Sequence, residues 1–454
     1  MPVRIIVHRG TEEIGGNCVE VATESTRIIL DVGMPLVDEN GESFDAKSMQ
    51  GKDVPQLLKE GILPAVPGLF KDDRDKKPSP MAILLSHAHL DHTGLLKYTR
   101  EEIPVWLSPG TSDMMYVGLK FAGQCGPGTK RQQKFSPGQP FKLGDFTITA
   151  YPVDHSAFDS MAFLIEAEGK RILYSGDLRL HGRKPGMARD LVKAVAAKPL
   201  HALVIEGTHV GYETKRGTTE RELEEELIEQ MASAKGIVLA NFSPLHVDRL
   251  VGFYRAARSR QVNRTFVIDP YAAMVMQKAH SLCKVPKPED ADDIRVYFNR
   301  AFERSWERKN LKPLRESLLG RRITMEELRA VPERFVMVFR PSMVPDDFEG
   351  RLPKYARCTY SYWAGYLDQP CWKELRQKLE SPEVEGSFVQ VHTSGHIFTK
   401  DIVEFVDGID PRKITKIIPI HTFHRELFPS LVQRVEMLED GKAYEVGQKS
   451  IWRA

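Results

Sequence analysis

Along the first two hundred residues, apolar side chains come in short runs, many alternating with polar ones, and turn residues close the runs. That is the pattern of short β-strands joined by tight loops. It predicts strands at Arg4–His8, Cys18–Ala22, Arg27–Asp31, Ala82–Ser86, Val105–Leu107, Phe146–Tyr151, Met161–Glu166 and Arg171–Ser175. Gly15-Gly16-Asn17 and Gly144-Asp145 read as tight turns. Helices are expected to open near Thr111-Ser112-Asp113 and to cover Ala188–Ala197, and Lys71–Lys77 reads as an exposed connection.

After Glu206 the pattern turns to alternating helices and strands. Thr219-Glu220-Arg221-Glu222 is a capping-box signature, and the amphipathic run behind it ends at Gly236. Strand Ile237–Ala240, helix Val247–Arg258, strand Thr265–Ile268 and helix Ala272–Leu282 follow, an order that implies βαβ units and a parallel sheet. Pro286–Asp293 reads as a break, with further strands at Phe335–Phe339 and Thr359–Tyr362. Near Ser387 the early character returns: strands Phe388–His392 and Ile414–Ile420, and helix Thr399–Val406. The expected organisation is a first domain over 1–208, an inserted helix–strand domain over 209–385, and the end of the first domain over 386–454.

Composition narrows the class without naming the chemistry. The 454 residues suit roughly two to three domains. The net charge of +2 means that a polyanion must be met by a local basic face. Five scattered cysteines argue against a disulfide framework and against a thiolate zinc site. The apolar start is too short for a signal peptide and no run reaches the length of a membrane span, so the expectation is a cytoplasmic protein. Oligomeric state is not readable.

The chemistry is concentrated in His87-Ala88-His89-Leu90-Asp91-His92, directly after the apolar run Met81–Leu85. Imidazoles and a carboxylate at this spacing can converge on a zinc-type cation. Single groups elsewhere share the context of a strand end: His155 after Phe146–Tyr151, Asp177 after Arg171–Ser175, and His421 after Ile414–Ile418. Together they supply ligands for two metals, one taking His87, His89 and His155, the other Asp91, His92 and His421, with Asp177 bridging. Two cations roughly 3.5–4 Å apart form the arrangement that serves in-line phosphoryl displacement. The set favours zinc, and manganese is an alternative occupant.

These motifs resemble those of the metallo-β-lactamase fold, and the inserted segment is similar to that of the β-CASP nucleases, the group containing bacterial RNase J and the eukaryotic mRNA 3′-end cleavage factor. Further motifs carry the likeness: Val204-Ile205-Glu206-Gly207-Thr208 entering the insertion, His392-Thr393-Ser394-Gly395-His396 leaving it, and Ile418-Pro419-Ile420-His421 after the next strand. The resemblance implies an α/β fold, an αββα sandwich carrying an inserted β-CASP domain. It also implies that His396 protonates the leaving oxygen, that Glu206 orients His396, and that Asp31 orients a ligand from outside the metal shell. A histidine at 421 matches the RNA-processing members, where DNA-processing ones carry an aliphatic residue. The implied activity is RNA phosphodiester hydrolysis on single-stranded substrate, with Asp91 and Asp177 counted among the catalytic groups. A DNA nuclease, a small-ester, thioester or lactam hydrolase, and a non-cleaving RNA-binding scaffold are the rivals.

For substrate contact the sequence offers Ser394, Gly395, and His246 with Arg249 at a helix start. Between Arg295 and Arg322 lie nine basic residues against three glutamates, with Phe298, Phe302 and Trp306 interleaved. A nucleic-acid face and a solvated helix with inward aromatics both fit that pattern. Ser243-Pro244-Leu245-His246 and Tyr360-Ser361-Tyr362-Trp363 depart from RNase J's serine-rich phosphate loops, and the chain ends about thirty residues after His421, short of that enzyme's extra domain. Gly123–Lys130 approaches a phosphate loop but lacks the preceding strand.

Overall fold

The computed structural model describes residues 2–38, 41–71, 78–212 and 218–447. All but the first residue of the expected connection Lys71–Lys77 lies outside the described residues. Two compact units share the chain: residues 1–119, 123–216 and 395–454 form the first, residues 120–122 and 217–394 the second.

The strands run in order β1 (Arg4–Arg9), β2 (Cys18–Ala22), β3 (Arg27–Leu30), β4 (Ala82–Leu84), β5 (Val105–Leu107), β6 (Gln132–Lys134), β7 (Pro140–Leu143), β8 (Phe146–Pro152), β9 (Met161–Ala167), β10 (Lys170–Tyr174) and β11 (Ala202–Glu206). Then come β12 (Val238–Asn241), β13 (Thr265–Ile268), β14 (Ile294–Tyr297), β15 (Arg322–Ile323), β16 (Phe335–Val338), β17 (Arg357–Tyr360) and β18 (Ser387–Gln390). Two more, β19 (Ile417–Ile420) and β20 (Ala443–Glu445), complete the first unit.

The first unit holds two sheets, ordered β20-β1-β2-β3-β4-β5-β6 and β19-β11-β10-β9-β8-β7. They pack face to face because each strand alternates. Val19, Val21, Ile28 and Leu84 of one sheet share a core with Ile148, Phe163, Ile172, Val204 and Ile418 of the other. The intervening residues Leu164, Leu173, Leu203 and Ile417 face outward, under Leu191 and Val195 of helix Pro185–Ala196 and Ile402 and Phe405 of helix Thr399–Ile409. That is the helix-covered sandwich expected from the resemblance.

Strand direction places the site. β3, β4 and β5 are parallel in one sheet, and β10, β11 and β19 are parallel in the other, with Glu206 opposite Ile420. Residues just past these carboxyl ends are Asp31, His87, Asp177, Glu206 and His421. Ends of parallel strands are where open α/β sheets gather ligands.

The second unit is an all-parallel sheet, ordered β15-β14-β13-β16-β12-β17-β18. The capping box at Thr219 forms with Glu222 and opens helix Glu220–Ala232. β14 begins at Ile294, directly after the expected break Pro286–Asp293. β18 pairs with β17 in register Cys358↔Phe388, so the run read as the returning first domain belongs to the second unit, and the first resumes at Gly395. An apolar run states that it will be buried and leaves its neighbour open.

Candidate metal centre and active site

Three loops and a one-turn helix bring the first unit's polar groups together. Asp91 and His92 lie on helix Leu90–Thr93, with His89 at its N-cap. Gly33 admits this turn: a Cβ there would fall 1.7 Å from the Asp91 carbonyl oxygen. Three groups of ligating atoms result, each within 4.8 Å: His87, His89 and His155; Asp91, His92, Asp177 and His421; and His155, Asp177 and His396. His92 Nε2 stands 3.1 Å from Asp177 Oδ2, and His421 Nε2 stands 3.7 Å from Asp91 Oδ2.

The outer atoms of these rings are held. Asp31 is fully buried and accepts from His92 Nδ1 at 2.8 Å, from the Ser86 amide at 2.8 Å and hydroxyl at 2.7 Å, and from the Tyr174 hydroxyl at 2.7 Å. His155 Nδ1 donates to the Gly395 carbonyl at 2.6 Å, which turns Nε2 toward His89 Nδ1 at 3.2 Å. Asn17 Nδ2 stands 2.8 Å from His421 Nδ1. Asp31 and His421 both adopt left-handed backbone, at φ 59 and φ 54, strain of the kind that accumulates at functional sites. Asp154, beside His155, is fixed by buried Arg179 at 2.8 Å and by the Lys184 amide at 2.6 Å.

Electrostatics separates the groups. Burial pushes the His87, His155, His89 and His421 imidazoles down, His87 and His155 well below the ordinary range, so those two are neutral and carry ligating lone pairs. Burial opposes ionisation of Asp177, yet His421, His92 and His396 hold it well below the usual carboxylate range. Burial also opposes the charged form of His92, but Asp177 and Asp31 raise it. His87 Nε2, Asp177 Oδ1 and His421 Nε2 are buried without a hydrogen-bond partner. Leaving such atoms unpaired is costly, and bound cations would satisfy them. Neutral imidazoles, two carboxylates and orphaned inner atoms fit divalent metal binding.

His396 sits beside this cluster. Its Nδ1 is 3.1 Å from Glu206 Oε2, 3.1 Å from the Thr208 hydroxyl and 3.6 Å from Asp177 Oδ2. Burial opposes its protonation, but Glu206 and Asp177 prevail and raise it to about 9. Glu206 is fully buried and also accepts from the Leu178 amide at 2.9 Å and the Thr208 hydroxyl at 2.7 Å.

A family profile described as Beta-lactamase superfamily domain matches residues 55–227. An RNase J-like protein of Methanocaldococcus jannaschii is 24% identical over 52% of this chain and 50% of its own length. Ribonuclease J of Pyrococcus abyssi is 24% identical over 55% of each chain, and the transcription termination factor FttA of M. jannaschii is 27% identical over 49% of this chain and 34% of its own. The profile and these relatives support the metallo-β-lactamase β-CASP nuclease family for this chain. A protein of unknown function from Enterococcus faecalis superposes with a TM-score of 0.78 at 19% identity, covering 98% of this chain and 100% of that one, a likeness of fold. The alignments span from a quarter to half of the first curated relatives' lengths.

Relative to the expectations, the structure gathers His87, His89, Asp91, His92, His155, Asp177, His421, His396, Glu206 and Asp31, and places the substrate candidates elsewhere in function. Arg249 is fully buried in the second unit, bonded to Glu220 Oε1 at 3.0 Å, the Thr393 carbonyl at 3.2 Å and the Ser361 hydroxyl. Its guanidinium anchors that unit and presents nothing to solvent. His246 points at the same Glu220, at 3.6 Å. Gly395 serves His155 through its carbonyl, and a Cβ there would meet Ser156 Oγ at 2.3 Å; Ser394 is half-buried. The basic stretch also resolves: Phe298 and Phe302 are buried, while Arg300, Arg304, Arg315 and Arg321 pair with Glu349, Asp346, Glu303 and Asp292. Phe298 and Phe302 belong to the core, and Trp306 is half-buried.

Sequence reasoning missed Asn17, Ser86, Asp154, Tyr174 and Thr208. Asn17 was read as part of a turn, and Asp154 sits next to His155; Ser86, Tyr174 and Thr208 carry no local signal of their role.

No helix among the described residues is long and apolar enough to cross a membrane, and the five cysteines are free.

Proposed function

We propose that this protein is a two-zinc ribonuclease that hydrolyses phosphodiester bonds of single-stranded RNA, working in the cytoplasm. The carrying observation is His396, held by Glu206 and Thr208, standing 3.6 Å from the carboxylate of a buried His/Asp cluster fit for cations. The names of the ribonuclease J relatives and the histidine at 421 favour RNA.

His87, His89 and His155 would hold one cation and Asp91, His92 and His421 a second, with Asp177 shared. When bound, such cations supply Lewis acidity, acidifying water and neutralising charge on phosphoryl oxygens. Asp31 and the Gly395 carbonyl fix the outer nitrogens of His92 and His155 and so leave their Nε2 lone pairs facing inward. Glu206 and Thr208 hold His396 through Nδ1, which leaves its Nε2 proton for the departing oxygen. An alkoxide leaving unprotonated is costly, and a group raised to about 9 is charged and ready at neutral pH.

End-labelled single-stranded RNA bearing 5′-monophosphate or 5′-triphosphate, alongside DNA of the same sequence, tests this with zinc or manganese added. RNA is cleaved and DNA is spared; intact RNA, or DNA cut equally well, overturns the proposal. His396→Ala keeps the metal and loses most turnover, whereas loss of metal would reassign His396 as a ligand.

A further inference from the structure

The second unit carries an exposed aromatic feature that the cleavage chemistry does not use. Trp363 follows β17 and is 65% exposed, with Tyr366 at 43%. A large exposed indole is unusual unless something covers it. This one is held. The Trp363 carbonyl accepts from the Tyr360 hydroxyl at 2.8 Å and the Tyr366 amide at 3.3 Å. Tyr366 stands edge-on to the indole, with ring centres 5.5 Å apart at 89°. The indole lies flat on Gly365, where an added Cβ would fall 2.2 Å from the ring, so only glycine permits the pose. A rigid, solvent-facing ring with a glycine floor costs little entropy to cover with another flat ring.

A cation stands at the same edge of the sheet. Arg340 follows β16, which is separated from β17 by β12 alone, so the two strand ends are about 10 Å apart. Asp269 holds one side of its guanidinium and Tyr271 lies under it at 5.3 Å; Nη2 is buried, while the side chain as a whole is 28% exposed. Its charge reaches the Tyr362 phenol next to Trp363.

We propose that Trp363 is a stacking platform for an unpaired base of single-stranded RNA, with the charge of the partly exposed Arg340 guanidinium drawing a neighbouring phosphate. Aromatic stacking plus a backbone cation is how unpaired strands are held without sequence preference. The inference rests on the proposed RNA substrate. It moves the nucleic-acid face from Arg295–Arg322, where Phe298 and Phe302 are buried, to the carboxyl edge of the sheet.

The test uses the full chain and fluorescein-labelled oligoadenylate in EDTA, read by anisotropy. Trp363→Ala weakens binding about tenfold or more. Gly365→Ala, which displaces the indole without removing it, does the same, and Trp363→Phe stays within about threefold of the parent, because a phenyl ring also stacks. Turnover of bis(p-nitrophenyl) phosphate with zinc is unchanged in all three. Parent-like RNA affinity in Trp363→Ala overturns the platform while leaving the ribonuclease reading to its own assay. So does an equal loss for an abasic ribose-phosphate strand, which assigns Trp363 to folding. If the parent binds no RNA yet cleaves the small diester, the platform fails and the metal-dependent chemistry survives.

Discussion

Both units bury a polar cluster past the carboxyl ends of parallel strands, and the two clusters solve the same electrostatic problem in opposite ways. In the second unit the chain brings its own cation: Arg249 neutralises Glu220. In the first, the positive charge acting on Asp177 comes from imidazoles, several of which burial keeps neutral, and three inner atoms find no partner. A cluster completed by guanidinium is finished as folded. A cluster of lone pairs facing one another is finished only when a cation arrives.

The sharpest way to break this contrast is Asp177→Asn. The loss of metal affinity and of cleavage should exceed the ~10–100-fold carried by residues that merely orient ligands. Metal content and turnover measured together check it, and full activity would remove the shared-ligand role. Arg249→Met should act in the other currency, stability. It strips the guanidinium from buried Glu220, a loss of about 3–5 kcal/mol in urea unfolding that added zinc does not reverse. Replacing both, Arg249→Met with Glu220→Leu, should recover much of that loss, and failure to recover would mean the pair is not the unit of stabilisation.

Asp31→Asn sharpens the comparison within the first unit. It keeps the shape but weakens the acceptor for His92 Nδ1, Ser86 and Tyr174, and zinc affinity should fall by about 10–100-fold. Zinc titration followed by the thermal midpoint reads this directly, because a ligand at a hundred times its Kd adds about 2.7 kcal/mol.

The smallest effect concerns Glu20, a carboxylate outside either cluster. Burial raises its pKa, but Arg27 and His8 overcome that and hold it at about 2. A lowered carboxylate stabilises the fold above its ordinary value of 4.5, and the contribution fades as pH falls toward 2. Glu20→Gln should therefore cost on the order of 1–3 kcal/mol at pH 6 and little at pH 2.5, where unfolding curves of the two proteins converge. A constant difference across that range would trace the effect to packing.

Much of the first unit was legible. The alternating runs located most of its strands, because a half-buried strand writes its period of two directly into the chain. The two-residue turn Gly144-Asp145 joins β7 to β8 as read, with Gly144 at φ 56 and Leu143 opposite Phe146. Short or polar strands were missed: β6 is Gln-Gln-Lys, exposed along its length, and β15 has two residues. Neither carries a pattern, since pairing at an edge needs only backbone.

What the chain determined alone is the kind of chemistry: His87–His92 at a strand end, and the matching contexts of His155, Asp177 and His421, are local facts of residue type and spacing. What tertiary structure decided is which polar groups are spent. Arg249, Arg300, Arg304, Arg315 and Arg321 look available in sequence and are paired in the fold, while Trp363, unremarkable in sequence, stands in solvent. Burial and partnership are properties of residues distant in the chain, and desolvation sets the cost of every unpaired group, so only the assembled neighbours determine whether a charge is satisfied or still open.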